Sequence, residues 1–170
     1  APGLFDLDND GDLDLFFSNG HLNSVSGDNR QSNLLFENDG LGHFADISES
    51  SGVLATGKRI HRGAIFADYN NDGKVDIYVT VNGQQVEDGN GNIVFDANQG
   101  KGILLRNETQ TENSWIKVRL EGTESNRDGF GAIVNVRTAD KLQKQALSSG
   151  QGYFSSNAKE LYFGLKEADT

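Results

Sequence analysis

The chain has 170 residues and a net charge of −10, which argues against nucleic-acid binding because phosphate contacts need clustered lysine and arginine. It has no cysteine, so disulfides, thiolate chemistry and cysteine-ligated zinc are excluded. No apolar run approaches the roughly 18 residues of a membrane helix. The 21 glycines and single proline indicate tight turns between short strands.

The first distinctive element is an aspartate-rich loop at residues 6–14, which is copied at residues 68–76. Each loop leads into a segment in which apolar residues alternate with others, and this period of two predicts a strand. The alternating residues are Leu13, Leu15 and Phe17 after the first loop, and Val75, Ile77, Val79 and Val81 after the second.

Similar segments also follow the two strands, namely NLLFEN at 33–38 and GILLRN at 102–107. The second copy is longer, and its extra residues are expected in 84–101. Turn residues at 38–42 and 88–92 predict hairpins, and the polar stretch 48–58 predicts a joining loop. These observations predict two repeats, at about 1–58 and 59–111.

The composition changes near residue 112, where a second domain covering 112–170 is predicted. Strands are expected at 115–122, around Val134 and Val136, at 141–147 and at 160–165. The segment 141–147 has helical propensity, but closely flanking strands favour a strand there. Trp115 and Tyr153 are expected in the core. The fold class is therefore all-β and antiparallel.

Both aspartate loops follow the pattern D-x-[D/N]-x-D-G-x-x-D. Calcium takes 6–8 oxygen ligands, and side chains at loop positions 1, 3, 5 and 9 can converge on one ion if the chain curls tightly. Gly11 and Gly73 permit that curl, and position 7 offers its backbone carbonyl. The candidate calcium ligands are Asp6, Asp8, Asp10, Asp12 and Asp14 in the first loop, and Asp68, Asn70, Asp72, Lys74 and Asp76 in the second.

Neither loop fits an EF-hand, because position 12 is Phe17 or Val79 instead of glutamate and the flanks alternate as strands. Magnesium is less suitable, since it prefers near-octahedral sites with retained waters. The alternative is an aspartate-rich turn without an ion, which the matching second copy disfavours.

Residues 1–111 resemble FG-GAP/VCBS repeats, the blades of integrin-α-type β-propellers, in the two loops and in the segments that follow them. The resemblance implies calcium held in loops between blade strands. Residues 115–165 resemble the ASPIC/UnbV domain in WIKVRLEG, SNRDGFGAIV, SGQGYFSSN and LYFGL. The pairing is similar to that of secreted cartilage-acidic-protein-like proteins and their bacterial relatives. Two repeats are too few to close a propeller, so a partial propeller is expected.

The main functional hypothesis is a non-enzymatic, calcium-stabilised interaction or adhesion module with a protein or glycan partner. The chain is expected to be part of a longer protein exported to the periplasm, the cell surface or the medium. An enzyme or accessory domain of a biosynthetic or hydrolytic protein, and a structural spacer, remain alternatives. The segment 126–128 fits either a recognition loop or a turn, with the turn favoured. Asn107 begins a glycosylation sequon, but its match to Asn38 favours a structural role.

Overall fold

The computed structural model describes residues 1–21, 30–96, 100–139 and 141–167, and nearly all of its regular structure is antiparallel β. This confirms the predicted all-β fold class. Among these residues, no helix is long and apolar enough to cross a membrane.

The first repeat forms a four-stranded antiparallel sheet in the order β1-β2-β3-β4. Its strands are β1 (Pro2–Phe5), β2 (Asp14–Phe17), β3 (Leu34–Asn38) and β4 (Phe44–Asp46). The predicted turn at 38–42 joins β3 to β4, and the Asp39 N–H donates to the His43 carbonyl across it at 3.1 Å. A short 3₁₀ helix at Val53–Thr56 lies within the predicted joining loop.

The second repeat places β5 (Ile60–Ala67), β6 (Asp76–Asn82) and β9 (Ile103–Leu105) side by side. Between β6 and β9 the chain adds a hairpin of β7 (Gln84–Glu87) and β8 (Ile93–Asp96), turned at the predicted 88–92. This hairpin accounts for most of the extra residues expected in 84–101, of which 97–99 lie outside the described residues.

One apolar core joins the two repeats, and its largest members include Phe5, Phe16 and Phe66. The alternating residues of β6 are buried, as the sequence pattern indicates. In β2 the pattern is misleading, because Phe16 is fully buried while Leu15 and Phe17 are only half-buried. Phe16 packs edge-on against Phe66 with ring centroids 6.2 Å apart, so contact with the second repeat decides which face of β2 is buried.

The C-terminal part contains two antiparallel ribbons. The first pairs β10 (Ser114–Arg119) with β13 (Glu160–Lys166), and the second pairs β11 (Ile133–Arg137) with β12 (Leu142–Ala146). A small core of Leu147, Leu161 and Phe163 lies between them.

Strand β12 confirms the strand predicted at 141–147 against its helical propensity. Its two glutamines have clear partners, because Gln143 Nε2 donates to the Gly164 carbonyl at 2.5 Å and Gln145 Nε2 to the Tyr162 carbonyl at 2.6 Å. The alternate residues of β12, Leu142, Lys144 and Ala146, are exposed. Cross-ribbon bonding therefore favours the strand over a helix.

The expectation that Trp115 and Tyr153 belong to the core is wrong. Trp115 is 39% exposed and Tyr153 is 44% exposed. The Trp115 ring lies against Gly73, where an added Cβ would come within 1.9 Å of it. Tyr153 packs edge-on against Phe154 with centroids 4.7 Å apart. Trp115 therefore covers a glycine of the second loop and Tyr153 pairs with an exposed ring, two contacts that a single sequence does not reveal.

Candidate metal centre

The first aspartate loop connects β1 to β2 and is curled around its own carboxylates. Asp6 follows β1 and accepts the Asp10 N–H at 3.1 Å and the Gly11 N–H at 2.9 Å. Asp14 opens β2 and accepts the Leu7 N–H at 2.7 Å. Asn9 and Gly11 have φ angles of 62° and 83°, and these left-handed conformations produce the curl.

The second loop, between β5 and β6, repeats these bonds residue by residue. Asp68 accepts the Asp72 N–H at 3.0 Å and the Gly73 N–H at 3.1 Å, and Asp76 accepts the Tyr69 N–H at 3.1 Å. Asn71 and Gly73 have φ angles of 60° and 85°. The sequence repeat is therefore also a repeat of loop conformation.

An asparagine at or just beyond the end of a later strand closes each loop, Asn38 at the end of β3 and Asn107 two residues after β9. The Asn38 N–H donates to Asp14 Oδ1 at 2.9 Å and the Asn107 N–H to Asp76 Oδ1 at 2.8 Å. The Asn107 side-chain amide also donates to the carbonyls of Leu7 at 2.7 Å and Val75 at 3.3 Å. These bonds give the sequon residue the structural role favoured by its match to Asn38.

Three carboxylates of the first loop converge. Asp6, Asp8 and Asp14 each place an oxygen within 4.8 Å of the others. Burial raises the pKa of Asp6 to about 7 and that of Asp14 to about 6, and the neighbouring carboxylates push both pKa values in the same direction, while backbone N–H donors oppose the rise. Burial likewise raises the pKa of Asp10. Converging carboxylate oxygens, those of Asp6 and Asp14 buried and with raised pKa values, fit a hard divalent cation.

The second loop has a different charge environment. Asn70 occupies position 3, and its amide donates to Asp72 Oδ2 at 2.8 Å. The ammonium of Lys117 lies 3.2 Å from Asp68 Oδ2 and 2.9 Å from Asn71 Oδ1. Burial raises the pKa of Asp76. Within the described ranges, a converging group of three carboxylates occurs in the first loop but not in the second.

The side chains at position 7 of both loops are engaged outside the loops. Asp12 forms an ion pair with Lys141, and Lys74 Nζ donates to the Thr109 carbonyl at 2.6 Å. Only their backbone carbonyls remain as ligand candidates, as the sequence pattern predicts for this position.

The ribbon of β10 and β13 lies across both loops. The Gly164 N–H donates to Asp6 Oδ2 at 3.0 Å, and the Lys166 N–H donates to the Asn9 carbonyl at 3.1 Å. Trp115, which pairs with Gly164 in the ribbon, covers Gly73 of the second loop. The loops also touch directly, because Asn9 Nδ2 donates to the Gly73 carbonyl at 3.1 Å.

Sequence reasoning missed several residues of this region, namely Asn9, Asn71, Lys117 and Gly164. A signal for the first two exists, because Asn-Asp-Gly recurs at residues 9–11 and 71–73 and asparagine tolerates a left-handed backbone. No local signal marks Lys117 or Gly164, since both reach the loops only through tertiary packing.

The other candidate residues have structural partners. Asn126 closes its own turn by accepting the Phe130 N–H at 2.7 Å, and Lys159 pairs with Asp128 at 2.7 Å. This geometry is that of the favoured turn. His61 is buried, and its Nδ1 lies 3.0 Å from the Asn19 carbonyl oxygen. His43 pairs with Asp39 at 2.8 Å.

Comparison with known proteins gives two matches in chain order. A family model described as an FG-GAP-like repeat matches residues 6–79, which include both aspartate loops. A model described as ASPIC and UnbV matches residues 122–170. No curated protein matches the chain. The two family models therefore match the chain one after the other, the FG-GAP-like repeat first and ASPIC/UnbV second, in the same order as the two resemblances in its sequence.

Proposed function

We propose that this chain is a calcium-binding, non-enzymatic interaction module of an exported protein, in which calcium stabilises the β scaffold. The observation that carries the proposal is the convergence of Asp6, Asp8 and Asp14 within 4.8 Å in a largely buried loop. Carboxylates brought this close repel one another unless a cation lies between them.

Calcium suits the loop better than other cations. Every candidate side-chain ligand of the first loop is a carboxylate, and hard oxygen ligands favour calcium or magnesium over softer metals. A curled loop with a backbone carbonyl at position 7 matches the irregular, high coordination of calcium. At about 2 mM calcium and a Kd near 10⁻⁴ M, each site would stabilise the fold by roughly 1.8 kcal/mol.

An exposed aromatic pair supports an interaction role. Phe154 is 95% exposed and has a φ angle of 48°, and its ring packs against that of Tyr153. A bulky residue held exposed with a left-handed backbone is unfavourable for the isolated fold. A protein or glycan partner that covers these rings would offset that cost.

Calorimetric titration of EDTA-stripped protein with calcium, paired with thermal melts, tests the calcium site. We expect binding in the extracellular-module range of about 10⁻⁴–10⁻³ M and a higher melting temperature with calcium. Asp8→Asn should abolish the tighter binding event, because it removes one converging carboxylate while retaining an oxygen that accepts the Asp10 N–H, as Asp8 does at 3.1 Å.

Asp88→Asn is the matched control. Asp88 accepts the Asn90 N–H at 2.9 Å in the same two-residue pattern, but it lies in an exposed hairpin turn outside both loops. This variant should bind calcium as the parent does. Absence of binding up to about 10 mM calcium, well above the expected range, would refute the proposal.

An enzymatic role is the second candidate, and one observation favours it. Asp6, whose pKa is raised to about 7, lines a cavity of about 520 Å³ between β1, β2 and the C-terminal strands β12 and β13. A carboxyl group with such a pKa can act as a general acid. Turnover of a glycoside or ester in a broad hydrolase screen, lost in Asp6→Asn, would establish this alternative.

A further inference from the structure

The first aspartate of each loop meets the β10–β13 ribbon through a different kind of donor. In the first loop, Asp6 Oδ2 accepts the neutral backbone N–H of Gly164 at 3.0 Å. In the second loop, the corresponding Asp68 Oδ2 lies 3.2 Å from the ammonium of Lys117. The two loops therefore share a conformation but differ by one positive charge at the same carboxylate oxygen.

Lys117 is held firmly against the second loop. Its side chain is 24% exposed, and that of Asp68 is fully buried. The ammonium also donates to Asn71 Oδ1 at 2.9 Å and lies 5.8 Å from the centroid of the Tyr162 ring. Tyr162 itself contacts the loop, because its hydroxyl oxygen accepts the Asp68 N–H at 3.4 Å. Burial of the carboxylate makes the charge of Lys117 less screened than at the surface.

The two lysines beside the first loop lie near carboxylates other than the one at position 1. Lys141 pairs with Asp12, whose side chain is not among the expected calcium ligands. Lys166 lies 3.9 Å from Asp10 and from Asp12, and its side chain is 51% exposed. Among the described residues, neither ammonium forms an ion pair with Asp6, the buried carboxylate at position 1. The first loop also has five aspartates, against three aspartates and Asn70 in the second.

We propose that Lys117 is a built-in counter-cation of the second loop, which lowers the calcium affinity of that loop so that calcium fills the first loop before the second. The inference rests on the proposed calcium function and names the residue that distinguishes the two sites. Calcium at the second loop must overcome repulsion from Lys117 or displace its ammonium from Asp68. Calcium affinity is tuned by the charge of the ligand set, and Lys117 reduces that charge from outside the loop.

The test measures the second loop alone. The double variant Asp8→Asn/Asp10→Asn inactivates the first loop, and calcium titration then reports the second. Adding Lys117→Met should lower the Kd of the second loop by about tenfold, as expected for removing one unit charge a few ångströms from a divalent ion in a partly screened setting. Without calcium, Lys117→Met should also lower the melting temperature, because it leaves the Asp68 carboxylate buried without its ion pair.

Two control variants separate the charge of Lys117 from other effects. Lys117→Arg keeps the positive charge and should leave the Kd of the second loop within about twofold of its parent. Lys159→Met removes one positive charge just before β13, at a lysine that pairs with Asp128 at 2.7 Å, and should also leave the Kd of the second loop unchanged. Should Lys117→Met fail to fold even in calcium, Lys117→Gln provides the same test with a polar, uncharged side chain.

The outcomes distinguish this inference from the proposed function. Equal affinities of the two loops in the unaltered protein, or an unchanged Kd in both the Lys117→Met and Lys117→Gln backgrounds, would overturn the role of Lys117 while leaving calcium binding established. Absence of calcium binding in the unaltered protein and in both Lys117 variants would instead refute the proposed function itself. Tighter binding in the neutral variants together with unchanged binding in Lys117→Arg supports the inference.

Discussion

At the residue scale, the buried carboxylates of the first loop make calcium binding sensitive to pH. The pKa of Asp6 is raised to about 7 and that of Asp14 to about 6, so the folded, calcium-free protein holds these protons more tightly than the unfolded chain. Its stability therefore rises as pH falls through these values, while calcium must displace the same protons. Acidification therefore stabilises the calcium-free protein and weakens calcium binding, and both effects reduce the difference in stability between the calcium-bound and calcium-free forms.

We predict that the melting-temperature increase produced by 2 mM calcium, measured against EDTA at each pH, shrinks steadily from pH 8 to pH 6. Protonation of Asp6 alone should weaken binding about tenfold over this range. Taking the difference at each pH cancels the contribution to stability of titrating groups remote from the loop. One such group is His61, whose pKa is lowered by burial. An increase of the same size at pH 8 and pH 6 would contradict the raised pKa values.

At the residue scale, only part of the candidate site can be predicted from the sequence. The spacing of the loop aspartates and glycines is local information, and the structure brings Asp6, Asp8 and Asp14 together in the first loop. The environment of each carboxylate is not local information. Burial of Asp68 against Lys117 depends on a residue 49 positions away in the chain, and a single sequence gives no periodic signal for such a pair.

At the element scale, Trp115 of β10 fills the space that the missing side chain of Gly73 leaves at the turn of the second loop. An added Cβ at Gly73 would come within 1.9 Å of the Trp115 ring, and the φ angle there is 85°. Gly42 has a similar φ angle of 89°, but an added Cβ there would have no neighbour within 4 Å. The two glycines thus share a left-handed backbone conformation and differ in what an added side chain would contact.

We predict that Gly73→Ala destabilises the protein more than Gly42→Ala, by about 1–3 kcal/mol, the usual cost of overpacking. Gly42→Ala should cost only the backbone term of about 1 kcal/mol. Urea denaturation of the two variants measures both free energies of unfolding. Equal losses would mean that the β10–β13 ribbon does not rest on the second loop as described.

Strands were predicted well where periodicity or flanking strands defined them, as in β6, β12 and β13. Which face a strand buries was predicted well only for β6, whose apolar alternation is uninterrupted. In β2 the adjacent Phe16 and Phe17 leave both faces apolar, and Phe66 from the next repeat decides which one is covered. The pairing of β10 with β13 cannot be predicted from a single sequence, because no sequence pattern specifies which distant strands pair.

At the scale of the whole molecule, the C-terminal strands and the repeats form one continuous set of contacts. The Phe66 N–H donates to Asn157 Oδ1 at 3.2 Å, and Asn113 Nδ2 donates to the Asp8 carbonyl at 3.0 Å. Among the described residues, the core between the C-terminal ribbons has only Leu147, Leu161 and Phe163 as buried members. So small a core gives little independent stability.

We therefore predict a single cooperative unfolding transition in calcium. The fluorescence of Trp115, the only tryptophan in the chain, reports the contact between the ribbon and the second loop, while far-UV circular dichroism reports all strands. Their urea midpoints should coincide within error. Two separated transitions would show that the ribbons unfold independently of the repeats.

The bonding of Asn107 has a consequence for production of the protein in eukaryotic cells. Its side-chain nitrogen, the atom to which an N-linked sugar would be joined, donates to the carbonyls of Leu7 and Val75, and the residue is buried. A glycan on that atom is incompatible with these bonds. Glycosylation of the nascent chain at Asn107 would therefore prevent these bonds from forming, whereas Asn107→Asp or Thr109→Ala would remove the acceptor site.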